Sequence, residues 1–372
     1  MATKIDVSSL TLNAEEVSQI SEAVLEREFI NGVLSQNHSI ETGIEHNKQI
    51  VFAGKITDSL KAASGCTPSE GGTLGFTEKF WTPKKYATRF THCADDVNNL
   101  LKIFQKAQKV NPDFYDRIDS EEMGMVASRV GMMLREVLPA KIWFSDTAAD
   151  LHTGTGVFST GTDLTLWNVI DGLWKQIFAE VGSGDDNYVA ISENAGVSYA
   201  AQALAADKAF GTFVAMVKAA DERLIGDPDA KLYVTRSLAD NYRDTLRSKT
   251  LGAGYIEVTE NGKQQLYFDG IPVEVMYVWD RTIKASQDNG TTYNLPHRAV
   301  LTTPDNIPVG TLSDSDFEEL DSFYDRKSKS NIIDVALSLD TKHLEPYMTV
   351  PHPKKDLPIG TTKSILTQAG LT

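Results

Sequence analysis

Phosphate chemistry needs a glycine-rich turn that lets backbone N–H groups close on an anion. Two turns qualify by composition, His152-Thr-Gly-Thr-Gly156 and Gly182-Ser-Gly184. The first has no third glycine and no P-loop lysine. The second ends a helical pattern where a phosphate site would open one, so both read as loop glycines. Histidines stand at 38, 46, 92, 152, 297, 343 and 352, with neither a His-x-x-x-His face nor a His-Glu-x-x-His motif for zinc. Cys66 and Cys93 form no C-x-x-C pair, and His92 and Cys93, adjacent on a strand, would point to opposite faces. Both thiols read as buried or incidental. We expect no catalytic residue, no cofactor-binding residue and no metal ligand.

The densest carboxylate run, Ser313-Asp-Ser-Asp-Phe-Glu-Glu-Leu-Asp321, places oxygen ligands as a calcium loop would at its first positions, but Glu319 stands where an EF-hand requires glycine. A solvated acidic loop is the better reading. No Gly-x-Ser-x-Gly elbow or Ser-x-x-Lys constellation occurs. The remaining cluster is aromatic and basic, Phe80-Trp-Thr-Pro-Lys-Lys-Tyr-Ala-Thr-Arg-Phe90. Phe80, Trp81, Lys84, Lys85, Tyr86 and Arg89 allow three readings: contact with an identical neighbour, local core, or single-stranded nucleic acid held by stacking and backbone charge. The first is favoured, because a basic patch in so acidic a chain finds its complement on another copy.

The elements that would position these residues follow from composition and period. The chain has 372 residues, 41% of them apolar, and a formal net charge of −15, enough for a substantial core and too acidic for a general phosphate-neutralising surface. The first thirty residues carry acids where a signal peptide needs a basic start, and no run approaches a membrane span. A soluble protein made in the cytoplasm is expected, with no membrane partner. Residues 1–45 read as an arm with a short amphipathic helix from Ala14 to Phe29. Residues 50–92 read as a long two-stranded excursion whose tip is SGCTPSEGGTLG, marginal in water without a partner surface. Helical periodicity predicts a long helix from Asp119 that Pro139 should kink or end, unless Lys-Ile-Trp-Phe144 directly after it continues the axis, a second over Asp163–Val181, and an Ala-rich third over about Ser198–Leu224 that buries Ala203, Phe210, Phe213, Val214 and Val217. Strands KLYVTR, a helix from Ser237, YIEVTENGKQQLYF and IPVEVMYVW follow. Asn261-Gly262 and Asp269-Gly270 supply type I′ turn chemistry, and 198–312 forms one α+β unit. NIIDVALSLD and PYMTVP read as two closing strands suited to a small sheet.

In this order the elements resemble the Hong Kong 97-like fold of tailed-bacteriophage major capsid proteins. The closest local likeness is LYVTRSLADNYRDTL, then YFDGIPVEVMYVWDRTI, HRAVLTTPDNIPVGTL and DVALSLDTKHLEPYMTV. The resemblance implies an α+β capsid fold with an N-arm over 1–45, an extended E-loop hairpin over 46–94, a peripheral domain from 95–150 and 331–352 carrying a long spine helix, an axial domain over 151–330 and a C-terminal tail over 353–372. It also implies a structural role without enzymatic activity. The expected partners are the chain itself, as pentamers and hexamers of an icosahedral shell, a separate scaffold protein, a portal and decoration proteins. Packaged DNA would lie nearby without being tightly or specifically bound. The location implied is the virion, after assembly in the host bacterial cytoplasm. An encapsulin-like nanocompartment shell is the alternative within the fold, and an acidic enzyme with a dispersed site the alternative outside it.

Overall fold

The computed structural model describes residues 33–53, 76–93, 136–183, 187–248, 256–258, 264–312, 319–325, 330–344 and 349–351. The expected arm helix, the excursion's tip, Asn261-Gly262, Cys66, His352 and most of the long helix from Asp119 lie outside them. The strands in chain order are β1 (Ile40–Glu41), β2 (Gln49–Ala53), β3 (Phe76–Phe80), β4 (Lys84–Cys93), β5 (Asn187–Val189), β6 (Lys231–Val234), β7 (Ile256–Val258), β8 (Gln264–Phe268), β9 (Ile271–Val275), β10 (Ala299–Thr302), β11 (Val309–Thr311), β12 (Glu319–Asp325), β13 (Ser330–Thr341) and β14 (Thr349–Pro351). The helices are α1 (Val33–Asn37), α2 over 136–144, α3 (Leu173–Ser183), α4 (Lys208–Ala219), α5 (Glu222–Ile225), α6 (Arg236–Ser248) and α7 (Tyr277–Ser286).

A seven-stranded mixed sheet runs β5-β14-β10-β6-β9-β8-β7. Its centre is buried on both sides, which is why Lys-Leu-Tyr-Val and Ala-Val-Leu-Thr read as nearly continuous apolar runs. Leu232, Val234, Ala299 and Leu301 face one core, closed by α4 and α6 through Phe213, Met216, Leu238 and Tyr242. Tyr233 and Val300 face the other core, built on Trp143, Trp174 and Trp279. Within it Arg298, 2% exposed, lies 5.0 Å from the Phe144 and Trp174 rings. Its guanidinium donates to Gln287 Oε1 at 2.7 Å and to the Leu295 and Asn294 carbonyls. Burial lowers its pKa to about 9.

A five-stranded sheet runs β1-β11-β13-β12, with β4 along the other edge of β13. Strand β13 is its spine, pairing antiparallel with β4, β12 and β11. The chain crosses from the larger sheet to the smaller between β10 and β11, through a 3₁₀ turn at Pro304–Asn306. It crosses back between β13 and β14, so the two closing strands do not share a small sheet as expected. Strands β2 and β3 pair only with each other among the described residues. They form the two-stranded excursion, while the second apolar run divides at Trp81-Thr-Pro83, beyond which β4 turns onto β13.

Several boundaries differ from the sequence reading. Helix α3 starts at Leu173 rather than Asp163, because Asp163 caps a 3₁₀ turn at Leu164–Leu166. Gly172 then lies so close to α2 that a Cβ there would stand 2.8 Å from the Ser145 backbone. The third helix is split and shortened: Asp207 takes a left-handed φ of 61° before α4, and Asp221 caps the separate α5. Phe213 is buried and Phe210, Val214 and Val217 pack against the same core, but Ala203 is exposed on the preceding loop. IPVEVMYVW stops being strand at Val275, since Trp279 and Ile283 bury one face of α7 instead. Asp269 and Gly270, with φ of 49° and 82°, form the expected turn between β8 and β9.

Candidate functional site

Strand β3 ends at Phe80 and the chain dives at Trp81. Its backbone N–H donates to the Lys48 carbonyl and its own carbonyl accepts from Asn47, both at 2.9 Å. The Trp81 side chain is fully buried, with Nε1 donating to Glu41 Oε2 at 3.3 Å. Gly310 makes room for it: a Cβ there would meet Ile44 at 2.6 Å and the Trp81 ring at 2.9 Å. Thr82 N–H donates to Asp340 Oδ2 at 2.7 Å, fixing the bend that launches β4.

Along β4, Tyr86 faces inward opposite Leu337, packs on the tryptophan core and reaches Ser145 Oγ at 3.3 Å. Burial pushes its hydroxyl up to about 12. Arg89 is opposite Asp334 in the ladder and grips both its oxygens, at 2.6 and 2.5 Å. That pairing raises the guanidinium and lowers the carboxyl from their ordinary values. Phe80, 46% exposed, and the exposed Lys84 and Lys85 form the outward rim where β3 hands over to β4. Of the six residues singled out from the sequence, Trp81 and Tyr86 thus pack into the chain's own fold and Arg89 pairs within its own sheet. Phe80, Lys84 and Lys85 are exposed, the consecutive Lys84 and Lys85 on opposite faces of β4.

Beneath this rim lies an ionic cluster that the sequence did not announce. Lys79, next to Phe80 on β3, donates to Glu180 Oε1 on α3 at 2.9 Å and to the His343 carbonyl. Glu180 Oε2 stands 2.5 Å from Nδ1 of His343, which is fully buried. Burial alone would raise the Glu180 carboxyl, but the His343 and Lys79 contacts outweigh it and hold it below its ordinary 4.5. Gln176 completes the joint, accepting from His343 N–H at 2.9 Å and donating to the Thr341 carbonyl at 2.9 Å. The base of the β2–β3 pair is therefore pinned to α3 and to the end of β13. A Glu180→Gln variant is expected to lose about 2 kcal/mol, with increased hydrogen exchange at 76–82. Because the folded pKa is depressed, the wild-type contribution is complete above 4.5 and is lost as pH falls below it, so the two proteins converge in acid.

The turn His152–Gly156 is turned inward on a carboxylate of its own. Asp150 accepts from Leu151 N–H at 2.8 Å and from Thr155 N–H and Oγ1 at 3.1 Å. A Cβ at Gly156 would sit 1.9 Å from the Asp150 carbonyl. The glycines close the turn, and the His152, Gly154 and Thr155 N–H groups are bonded within the fold, which is the loop reading. Beside it is a cleft of about 190 Å³ reached by His152, Asn194, Gln202, Gln287 and Tyr293. Its amides are engaged in the fold: Asn194 bonds the His297 backbone in both directions, and Gln202 does the same at Tyr293. His297 itself is buried between Ser237 Oγ and the Gln202 carbonyl. Of the acidic run, Glu319–Asp321 is strand rather than loop, paired with Ala336 to Asp334, and the preceding residues lie outside the described ones. Among the described residues no group of three or more His, Cys, Asp or Glu could hold a metal ion. No described helix is long and apolar enough to cross a membrane.

No protein-family model and no curated protein matches the chain. Solved structures do. A chain of the satellite phage P4 procapsid, a structure that includes the size determination (Sid) protein, matches with a TM-score of 0.51 at 10% identity, over 88% of this chain and 96% of that one. Chains from Gordonia phage Cozz and from the capsid of a native GTA particle match with TM-scores of 0.48 and 0.46, at 12% and 11% identity. They cover 87% and 86% of this chain, and 87% and 88% of their own lengths. The chain is mixed α+β and has the fold of a phage capsid protein. That is the fold class expected from its resemblance to tailed-bacteriophage major capsid proteins.

Proposed function

We propose that this chain is the major capsid protein of a tailed bacteriophage, a shell subunit that assembles through pentamers and hexamers into the icosahedral head around a double-stranded DNA genome. The observation that carries the reading is the length of the fold match, 88% of this chain and 96% of the P4 procapsid chain. A fold shared over nearly the whole of both chains supports a common architecture. In this reading 1–45 is the N-arm, 46–94 the E-loop, 95–150 with 331–352 the peripheral domain with its spine helix, 151–330 the axial domain and 353–372 the tail. Strands β2 and β3 support it, because an isolated strand pair is marginal in water and gains stability on a neighbour. Strand β14 is bonded to β5 and β10 of the larger sheet.

Phe80, Lys84 and Lys85 are the proposed contact with an adjacent copy. Trp81, Tyr86 and Arg89 hold that surface in place. A head-to-tail contact that closes by rotation gives rings, and each weak contact is then repeated around the ring and the shell. The role is structural, with no catalytic step. The proposed partners besides the chain itself are a separate scaffold protein, a portal and decoration proteins. With a net charge of −15 the lining would contain DNA without gripping it. Light scattering on the purified chain tests the reading: masses of five or six chains, or of closed particles, are expected. A single-chain mass at every concentration, with and without crowding agents, contradicts unaided assembly and leaves only assembly that depends on the scaffold protein.

A further inference from the structure

His38 sits at the joint between α1 and β1, 2% exposed. Its Nδ1 lies 2.9 Å from the Ile307 carbonyl, and its Nε2 lies 3.2 Å from Trp143 Nε1. A carbonyl only accepts and an indole N–H only donates, so the partners fix the ring's state: Nδ1 carries the proton and Nε2 is bare. An imidazolium would set a second N–H against that of Trp143. The other groups facing this joint come from β6. Lys231 donates to the Gln36 carbonyl and adds positive charge, and the Tyr233 hydroxyl donates to the Asn37 carbonyl at 3.0 Å. Among the described residues no carboxylate acts on the ring to stabilise a charge. Burial lowers the His38 pKa to about 4; the Ile307 carbonyl opposes this and Lys231 adds to it.

The segment that His38 holds is small. Helix α1 has five residues and β1 has two, paired with β11 at Val309 and Gly310. The segment's other attachments include Leu34 and Ile40 on the tryptophan core, Glu41 Oε2 accepting from Trp81 Nε1, Ser39 N–H on the Pro304 carbonyl and Val309 N–H on the Ser39 carbonyl. Segments with so few contacts open locally well before the domain unfolds.

We infer that His38 is an acid-release latch: protonation expels it from between Trp143 and Ile307 and frees residues 33–41 while the seven-stranded sheet stays folded. The opened ring titrates near its ordinary 6.5 and the latched ring near 4. The closed form is therefore fully favoured above 6.5, and it loses ground as pH falls towards 4. The latch belongs to a single chain and stands apart from the shell reading.

Hydrogen exchange of the full chain, corrected for the intrinsic rate at each pH, measures it. The opening constant for 33–44 is expected to rise about fiftyfold between pH 7 and pH 4.5, while α6 keeps its protection. In His38→Gln, which can still bond both partners but cannot titrate there, the profile is expected to be flat. A wild-type segment that stays closed at pH 4.5, or an equal rise in His38→Gln, overturns the latch. Should that variant fail to fold, nitrogen NMR of the wild-type imidazole decides instead. At pH 5.5 a neutral ring protonated at Nδ1 is expected, and a charged ring refutes the proposal.

Discussion

Trp143→Ala is expected to destabilise the fold by about 3–5 kcal/mol, seen as a lower urea midpoint with an unchanged slope. Trp143 is fully buried, with ring centroids 4.6 Å from Trp279, 5.3 Å from Trp174 and 6.4 Å from Tyr233. Removing it opens a cavity where α2, α3, α7 and the tryptophan face of the large sheet meet. These neighbours are held by separate elements and cannot collapse together to fill it. The indole also satisfies His38, so truncation leaves a buried ring nitrogen without its donor. Trp143→Phe separates the two effects: most of the packing remains and the hydrogen bond does not, so a loss of about 1–2 kcal/mol is expected.

Reversing charge at Lys84 and Lys85 together, to glutamate, is expected to abolish assembly and leave the melting temperature unchanged. Both side chains are exposed at the rim beside Phe80, and an exposed ion pair contributes only about 0.2–1 kcal/mol. A shell repeats that contact at every subunit. In a chain of net charge −15 the reversal would also set like charges against each other at the proposed contact with an acidic neighbour. Light scattering reads the mass and a thermal melt reads the fold. Arg89→Ala is the control: its guanidinium is spent on Asp334 across the ladder, so it is expected to leave assembly intact.

The centre of the fold was legible because its signals are local. Asp269-Gly270 announced a turn, and the apolar runs of β6 and β9 read as strands. The boundaries that failed depend on distant atoms. Residues 163–172 have helical spacing, yet Trp167 and Ile170 enter the core from an irregular segment because Gly172 must touch Ser145. Tyr277-Val-Trp279 has strand-like composition, but burial of Trp279 and Ile283 on one helical face prevailed over β propensity. The same contrast holds at the site. Phe80 to Arg89 stood out by charge and aromaticity, whereas Lys79, Glu180 and His343 come from three distant segments and share no spacing to find. His38 looked like an arm residue because the donor that fixes its state, Trp143, is over a hundred positions away. A shorter apolar stretch would not have revealed it either, since the signal is which atom donates.

The central claim, that this fold builds a shell by self-association, is tested most directly by electron microscopy of the purified wild-type chain, at increasing concentration and with crowding agents. Rings of five and six subunits, or closed particles whose walls accept the fold described above, are the predicted result. Fields of isolated single chains under every condition would contradict self-association unaided by a scaffold.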